Sequence, residues 1–402
     1  MSTKPVRTRK QKILRFLAFS AGGSVIGVIL LWIAIHRWPG LATVLVDGVR
    51  AVVGPKPIAW LEDTAYGLQD RYNRWKYRDA PPTQYWAPPP PASGSAAPAA
   101  SGSAAPGQPA PGDEAFPPPA FVPPFPGVAS AGDGQWIPIP DPQNAAGKPP
   151  LYKALIHPDG KRSFTVVAVV AIDLRSVVMH AVPGFGEPAS SAQPREKRPG
   201  LVPADQAGDL LATFNGGFQA VHGQWGMMSD GVTLLPARPI GCTVARYKDG
   251  SMRVAVWKRL ADSEQEMDYY RQTPPCLVEE GAVNPATQAE KNTGWGATVD
   301  GDTIIRRSAF GLDKTGKIAF YGMGDALSAG TLAQAMRTAG AWDVAQLDVN
   351  WSYPRFFFYD GGKDPRITQP LAPVQNWKPD EYVVRPAYRD FFYLTRKKDK
   401  AG

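Results

Sequence analysis

Three short segments hold the side chains best suited to chemistry. Ala212-Thr213-Phe214-Asn215-Gly216-Gly217-Phe218 runs from an apolar, strand-like stretch into an amide and two glycines. Such glycines let the backbone approach a ligand closely, and successive free N–H groups form an anion-binding concavity. The same Asn-Gly pair equally signals a plain hairpin turn. Ile305-Arg306-Arg307-Ser308-Ala309-Phe310-Gly311 sets arginines in a strand-like run. Their planar forks suit a phosphate or carboxylate, although arginines also line solvated strand faces. Leu347-Asp348-Val349-Asn350-Trp351-Ser352 gathers an acid, an amide, an indole and a hydroxyl past a strand end. Loops there carry function, and an aspartate there also caps turns.

Other chemistries lack local support. G-x-S-x-G and P-loop motifs are absent, and His36, His157, His180 and His222 show no metal-ligand spacing. No metal or cofactor is expected. Cys242 and Cys276 are the only cysteines; both sit in apolar, strand-like contexts, as a disulfide or as two buried thiols.

The elements that must position these segments read as α+β: β-rich mixed or antiparallel sheets with few helices. Asp-Gly pairs at Asp159-Gly160, Asp230-Gly231, Asp249-Gly250, Asp300-Gly301 and Asp360-Gly361 lie beside β-branched or aromatic runs, the signature of hairpins. Phe164 to Ala171 and Ser176 to Val182 are strand candidates. Ser328 as N-cap, a Leu332, Met336, Ala339 stripe and Gly340 as stop define a helix leading into a strand, Val344 to Leu347, that ends at Asp348.

The net charge of +8 is concentrated at the ends. Lys4 to Arg15 and Arg396 to Lys400 carry the whole excess, so the folded part lacks a basic patch and nucleic acid is not an expected partner. Residues 1–12 read as a cytoplasmic basic tail. Residues 13–35, about 23 mostly apolar positions, are long enough for a single N-terminal transmembrane helix. The positive-inside rule then puts the N-terminus in the cytoplasm and the main domain outside it, periplasmic behind an inner membrane. Residues 57–79 read as a juxtamembrane amphipathic helix, with Leu61, Ala65, Leu68, Tyr72 and Trp75 on one face. Residues 81–133 form a linker rich in Pro, Ala, Gly and Ser, residues 134–395 the folded domain, and residues 396–402 a second basic tail.

In order and spacing, Ile172-Asp173, Asn215-Gly216-Gly217-Phe218, Arg307-Ser308-Ala309-x-Gly311 and the helix from Ser328 followed by Leu347-Asp348 resemble the phosphodiester glycosidase family, over approximately Val167 to Asp360. The resemblance implies hydrolysis of a sugar-1-phosphodiester, here in an envelope glycopolymer, exopolysaccharide or glycolipid. That chemistry expels a phosphate, a good leaving group, and needs a cradle for it plus a carboxylate near the anomeric carbon. Arg307 with the Gly216 and Gly217 amides is the expected cradle. Asp348 is the base or nucleophile, and Asn215 and Ser352 orient the substrate. Phe218, Trp225 and Trp351 could stack on a sugar, with Asn350 beside them. A second carboxylate would be Asp173, Asp230, Glu279 or Glu280. The family's Asp-Gly-Gly-Gly-Ser is replaced here by Asp348-Val349-Asn350-Trp351-Ser352, which motivates the alternative of a catalytically inactive glycan-binding envelope module on the same fold.

Overall fold

The computed structural model describes residues 55–87, 115–288, 294–296 and 304–398. The expected basic tail and membrane span, 1–12 and 13–35, lie outside the described residues, as does Asp300-Gly301. Among the described residues no helix is long and apolar enough to cross a membrane. The chain divides into two units, Met1–Glu62 and Asp63–Gly402.

In chain order the elements begin with α1 (Pro55–Lys76), β1 (Ile137–Pro138), β2 (Leu151–Ile156), β3 (Val167–Asp173), β4 (Val177–Val182) and β5 (Leu210–Asn215). Next come β6 (Met227–Ser229), β7 (Val232–Leu235), β8 (Cys242–Tyr247), β9 (Met252–Val256), β10 (Met267–Thr273), β11 (Val278–Glu279) and β12 (Ala282–Val283). The last are β13 (Ile305–Leu312), β14 (Ile318–Leu327), α2 (Ala329–Thr338), β15 (Asp343–Val349), β16 (Phe356–Tyr359), β17 (Ile367–Pro370) and β18 (Phe391–Arg396). Among the described residues the strands form three sheets, in orders β1-β2-β3-β14-β13-β15-β11-β12, β7-β6-β10-β8-β9 and β17-β16-β5-β18-β4. Neighbouring strands run antiparallel, as in β13 with β14 and β15 and in β5 with β16 and β18.

The large sheet is buried on both faces, so its central strands read as continuous apolar runs rather than alternations. In β3, Val167, Val169 and Ala171 pack with α2, while Ala168, Val170 and Ile172 face the core shared with the two smaller sheets. That two-residue period is the pleat itself. Ser328 caps α2 through a reciprocal box with Thr331, and Gly340 at φ 111° ends it. Leu332 and Met336 are buried on its inner face; truncating either to Ala would cost about 2–5 kcal/mol. Between the sheets, Phe214 lies 5.5 Å from Phe356, 5.2 Å from Phe392 and 4.9 Å from Tyr321. This aromatic cluster fixes the end of β5, where Asn215 sits.

Turn chemistry behaves as the sequence suggests at Asp230-Gly231, where φ values of 50° and 73° close β6 onto β7 in the left-handed pair favoured by hairpins. Glu280-Gly281 does the same between β11 and β12 with φ values of 50° and 77°, a turn the sequence reading had not singled out. Cys242 and Cys276 are bridged, their Cα atoms 4.8 Å apart.

Two expected boundaries are corrected. The stretches 81–87 and 115–133, assigned to the linker, belong to the domain: Thr83 N–H donates to Ser163 O at 3.1 Å, Phe121 stacks edge-on against Trp136, and Asp133 holds buried His157 at 2.8 Å. Buried polar anchoring of this kind is incompatible with a solvated tether. At the other end, Arg396 is the last residue of β18 and pairs with Asp141 through Nε at 2.6 Å, so it is not part of a tail.

Candidate functional site

The ends of β5 and β15 come together with the start of β18. Asp348 N–H donates to Gly216 O at 3.2 Å, and Ser308 Oγ donates to Asp348 O at 2.9 Å. Asn215 Nδ2 donates in turn to Ser308 Oγ at 2.9 Å. The structure thereby unites Asn215, Gly216, Ser308 and Asp348, residues from three of the motifs.

Asn215 itself is committed to this scaffold. It is fully buried, and its Oδ1 accepts from Tyr321 Oη at 2.7 Å and from Arg355 N at 3.1 Å. Its amide holds the strand ends in register. A role in orienting substrate is therefore corrected to a structural one, because the groups that would touch a ligand are spent internally.

Arg307 is corrected in the same way. Its buried guanidinium donates to Leu327 O at 2.9 Å, Trp295 O at 2.7 Å and Gln346 Oε1 at 2.9 Å. These bonds tie β13 to the loop at 294–296 and to the chain entering α2. The arrangement satisfies backbone carbonyls rather than offering a fork to phosphate.

The expected amide cradle is also occupied, by a residue the sequence reading passed over. Asp390, just before β18, takes the Gly217 N–H on Oδ2 at 2.9 Å and the Gly216 N–H on its backbone oxygen at 2.9 Å. Arg271 on β10 grips the same carboxylate, Nε to Oδ2 at 2.8 Å and Nη2 to Oδ1 at 3.2 Å. Arg271 also donates to Trp225 O at 2.9 Å. The two glycines are required by this packing. A Cβ on Gly216 would lie 2.0 Å from Asp390 Oδ2, and one on Gly217 would lie 2.7 Å from Arg271 Cζ.

Asp348 is buried, only 3% exposed, and faces Arg389, whose Nη2 lies 2.6 Å from Asp348 Oδ2. The contact is an ion pair without hydrogen-bond alignment, so Oδ2 has no aligned donor, and neither does Arg389 Nε find an acceptor. Burial pushes the Asp348 carboxyl up to about 6; Arg389, the Val349 amide and Arg271 pull it down, while Asp390 pushes it further up. Arg389 also lies with its Cζ 4.0 Å over the Tyr353 ring, and Tyr353 Oη donates to Asp390 O at 2.7 Å. Burial opposes the Arg389 charge, but Asp348, Tyr353 and Asp390 together raise its pKa. The cluster is thus two acid–base pairs, Asp348 with Arg389 and Asp390 with Arg271, on adjoining strand ends.

The remaining candidates separate into near and far. Asn350 and Ser352 follow Asp348 in the connection from β15 to β16 but bond each other, Asn350 Oδ1 accepting from Ser352 N and Oγ at 2.9 Å. Trp351 projects between them, 54% exposed. Phe218 is buried, and Trp225 is buried beneath Arg238, 4.4 Å from its ring. Neither presents a face to a sugar. The candidate second carboxylates are remote: β13 pairs Arg307 with Val349 and Leu312 with Asp343, and Asp173 pairs with Ile318 at the Leu312 end. Glu279 and Glu280 also lie by Asp343 and Val344, and Asp230 sits in the β6–β7 turn. The carboxylate that does stand near Asp348 is Asp390. Among the described residues, no group of three or more His, Cys, Asp or Glu side chains is placed to hold a metal ion.

No family model and no curated protein matches the sequence. Among solved structures, the chain is similar to the catalytic domain of zebrafish N-acetylglucosamine-1-phosphodiester alpha-N-acetylglucosaminidase, auto-inhibited by its pro-peptide. The two are 18% identical over 65% of this chain and 88% of that one, with a TM-score of 0.41. It is also similar to a hypothetical protein from Synechocystis, at 11% identity over 61% of this chain and 62% of that one, with a TM-score of 0.31.

Proposed function

We propose that this chain is a membrane-anchored, extracytoplasmic hydrolase that cleaves a sugar-1-phosphodiester in an envelope glycopolymer or glycolipid, with Asp348 as the reacting carboxylate. The observation that carries the reading is the Asp348–Arg389 pair: a buried carboxyl pushed up to about 6 beside a guanidinium with an unspent donor. Perturbed groups of this kind gather at sites of chemistry.

Arg389, rather than Arg307, is the guanidinium available to a phosphate. Its side chain is 12% exposed, and it is the guanidinium of the cluster with hydrogen-bonding capacity in reserve. An incoming phosphodiester would draw Arg389 onto its oxygens in charge-assisted bonds, uncovering Asp348. The ionised carboxylate would then act at the anomeric carbon, as base toward water or as nucleophile, and phosphate would leave on the Arg389 side. Asp390 and Arg271 keep the neighbouring backbone rigid. Trp351, three residues past Asp348, supplies an exposed ring on which a sugar can stack. The charges that precede the apolar stretch 13–35, and a disulfide suited to an oxidising compartment, support the extracytoplasmic assignment.

A second reading, a catalytically inactive glycan-binding module, is favoured by one observation: the Gly216 and Gly217 amides are occupied by the chain's own Asp390. One assay separates the two. The full-length chain is incubated with an N-acetylglucosamine-1-phosphodiester and free sugar is measured. Turnover supports the hydrolase. No turnover, with sugar phosphate still stabilising the fold by the ~2.7 kcal/mol expected at a hundredfold excess over Kd, supports the binding module.

A further inference from the structure

Asp70, in the C-terminal half of α1, and Tyr77, just past the end of the helix, tie this segment to the domain. Asp70 pairs with Arg162, Nη2 to Oδ2 at 2.8 Å, and the Tyr77 ring lies 5.4 Å from that of Phe164. At 100° per residue the helix face opposite Asp70 points outward. That face carries Leu68, Tyr72 and Trp75, exposed by 57%, 55% and 68%, with the Tyr72 and Trp75 rings 5.9 Å apart.

Alongside the stripe runs a groove of about 660 Å³ lined by Arg71, Arg74, Trp75, Arg78, Lys161 and Phe164, among others. Arg71, Arg74 and Lys161 have no carboxylate partner among the described residues, and Arg78 reaches only exposed Asp79; the fold thus gathers a local basic patch, correcting the expectation, drawn from the net charge alone, that the folded part has none. Trp75 belongs to both features, so the aromatic edge and the cationic groove form one continuous surface. Clustered cations beside Trp, Tyr and Leu match a bilayer interface, where the rings sit at headgroup level and the cations meet lipid phosphates.

We infer that this surface docks the domain flat on an anionic lipid bilayer, the groove taking headgroup phosphates while Leu68, Tyr72 and Trp75 enter the interface. The inference rests on the membrane-anchored reading above, because the apolar stretch ending at Ile35 precedes Pro55 by about twenty residues, a reach of at most about 70 Å. Docking would hold this face of the domain at the membrane surface.

The test uses the full-length chain in vesicles. With both native cysteines in the disulfide, Leu68→Cys offers a single site for an environment-sensitive fluorophore. In phosphatidylglycerol-containing vesicles the fluorophore should shift to the blue, escape aqueous iodide and be quenched by lipid-borne nitroxides. In neutral phosphatidylcholine vesicles the docked fraction should fall. Arg71→Gln or Arg74→Gln, both at exposed positions, should each lower the ratio of docked to free label about fivefold, the weight of one surface arginine. Iodide quenching that is equal in both lipids overturns the inference while flotation with the vesicles preserves the anchor. Failure to float overturns both. Protection of the label in detergent without lipid, with cross-linking between copies, overturns it in favour of self-association.

Discussion

Gly217 donates its backbone N–H to Asp390 Oδ2 at 2.9 Å, across 173 residues of chain. The concavity that the Asn215-Gly216-Gly217 motif builds is therefore filled by an internal anion, which Arg271 neutralises from β10. Asp390 and Arg271 must be kept as a pair, since either ion alone would be an uncompensated buried charge. The glycines serve the ion pair first, and Asp348, the carboxylate proposed to react, stands next to it rather than in it.

Gly216→Ala should destabilise the domain by about 3 kcal/mol, the upper range for overpacking. Its Cβ would meet Asp390 Oδ2 at 2.0 Å and the Asp390 carbonyl oxygen at 2.5 Å, and backbone cannot swing aside. Gly208→Ala, which meets nothing within 4 Å, should stay within about 0.5 kcal/mol of the parent. Urea unfolding of the two variants compares them directly, and equal midpoints would refute this role for Gly216.

The pH dependence follows from Asp348. Its carboxyl is raised by burial to about 6, so its contribution to folding is fully present below about pH 4 and lost as pH rises through about 6. Under the proposed mechanism catalysis has the opposite sign, because the ionised form would do the work. The rate should fall about tenfold per pH unit below 6. A pH profile of kcat/KM with its acid limb near 4 instead would show that Asp348 is not the titrating group.

The Cys242–Cys276 bridge closes a loop with a sequence separation of 34. Reduction should cost roughly 3–4 kcal/mol by releasing that loop in the unfolded chain. Denaturation midpoints with and without reductant measure this. Thiol labelling of the unreduced, unfolded chain should find neither cysteine free.

What could be read from the residue order was local. The α2 cap at Ser328, its stop at Gly340 and the Asp230-Gly231 hairpin all depend on side chains acting within a few positions of themselves. Asp348 was likewise visible as a strand-end acid. Its surroundings were not, because Arg271 lies 119 residues from Asp390, and no spacing rule links β10 to the start of β18. Arg307 misled for a related reason. An arginine in a strand looks alike whether it meets a ligand or, as here, the carbonyls of Trp295 and Leu327. The Arg389-Asp390 dipeptide carried the one usable signal, two opposite charges at the entry to the apolar run Phe391–Leu394.

The central claim is that Asp348 performs the chemistry, and the most direct test is the turnover of an N-acetylglucosamine-1-phosphodiester by the full-length chain beside Asp348→Asn at neutral pH. The substitution keeps the shape of the side chain, and an unchanged melting transition verifies the fold. The account predicts hydrolysis by the parent and a loss of about 10²–10⁴-fold in the variant. Hydrolysis by Asp348→Asn at the parent rate would contradict it.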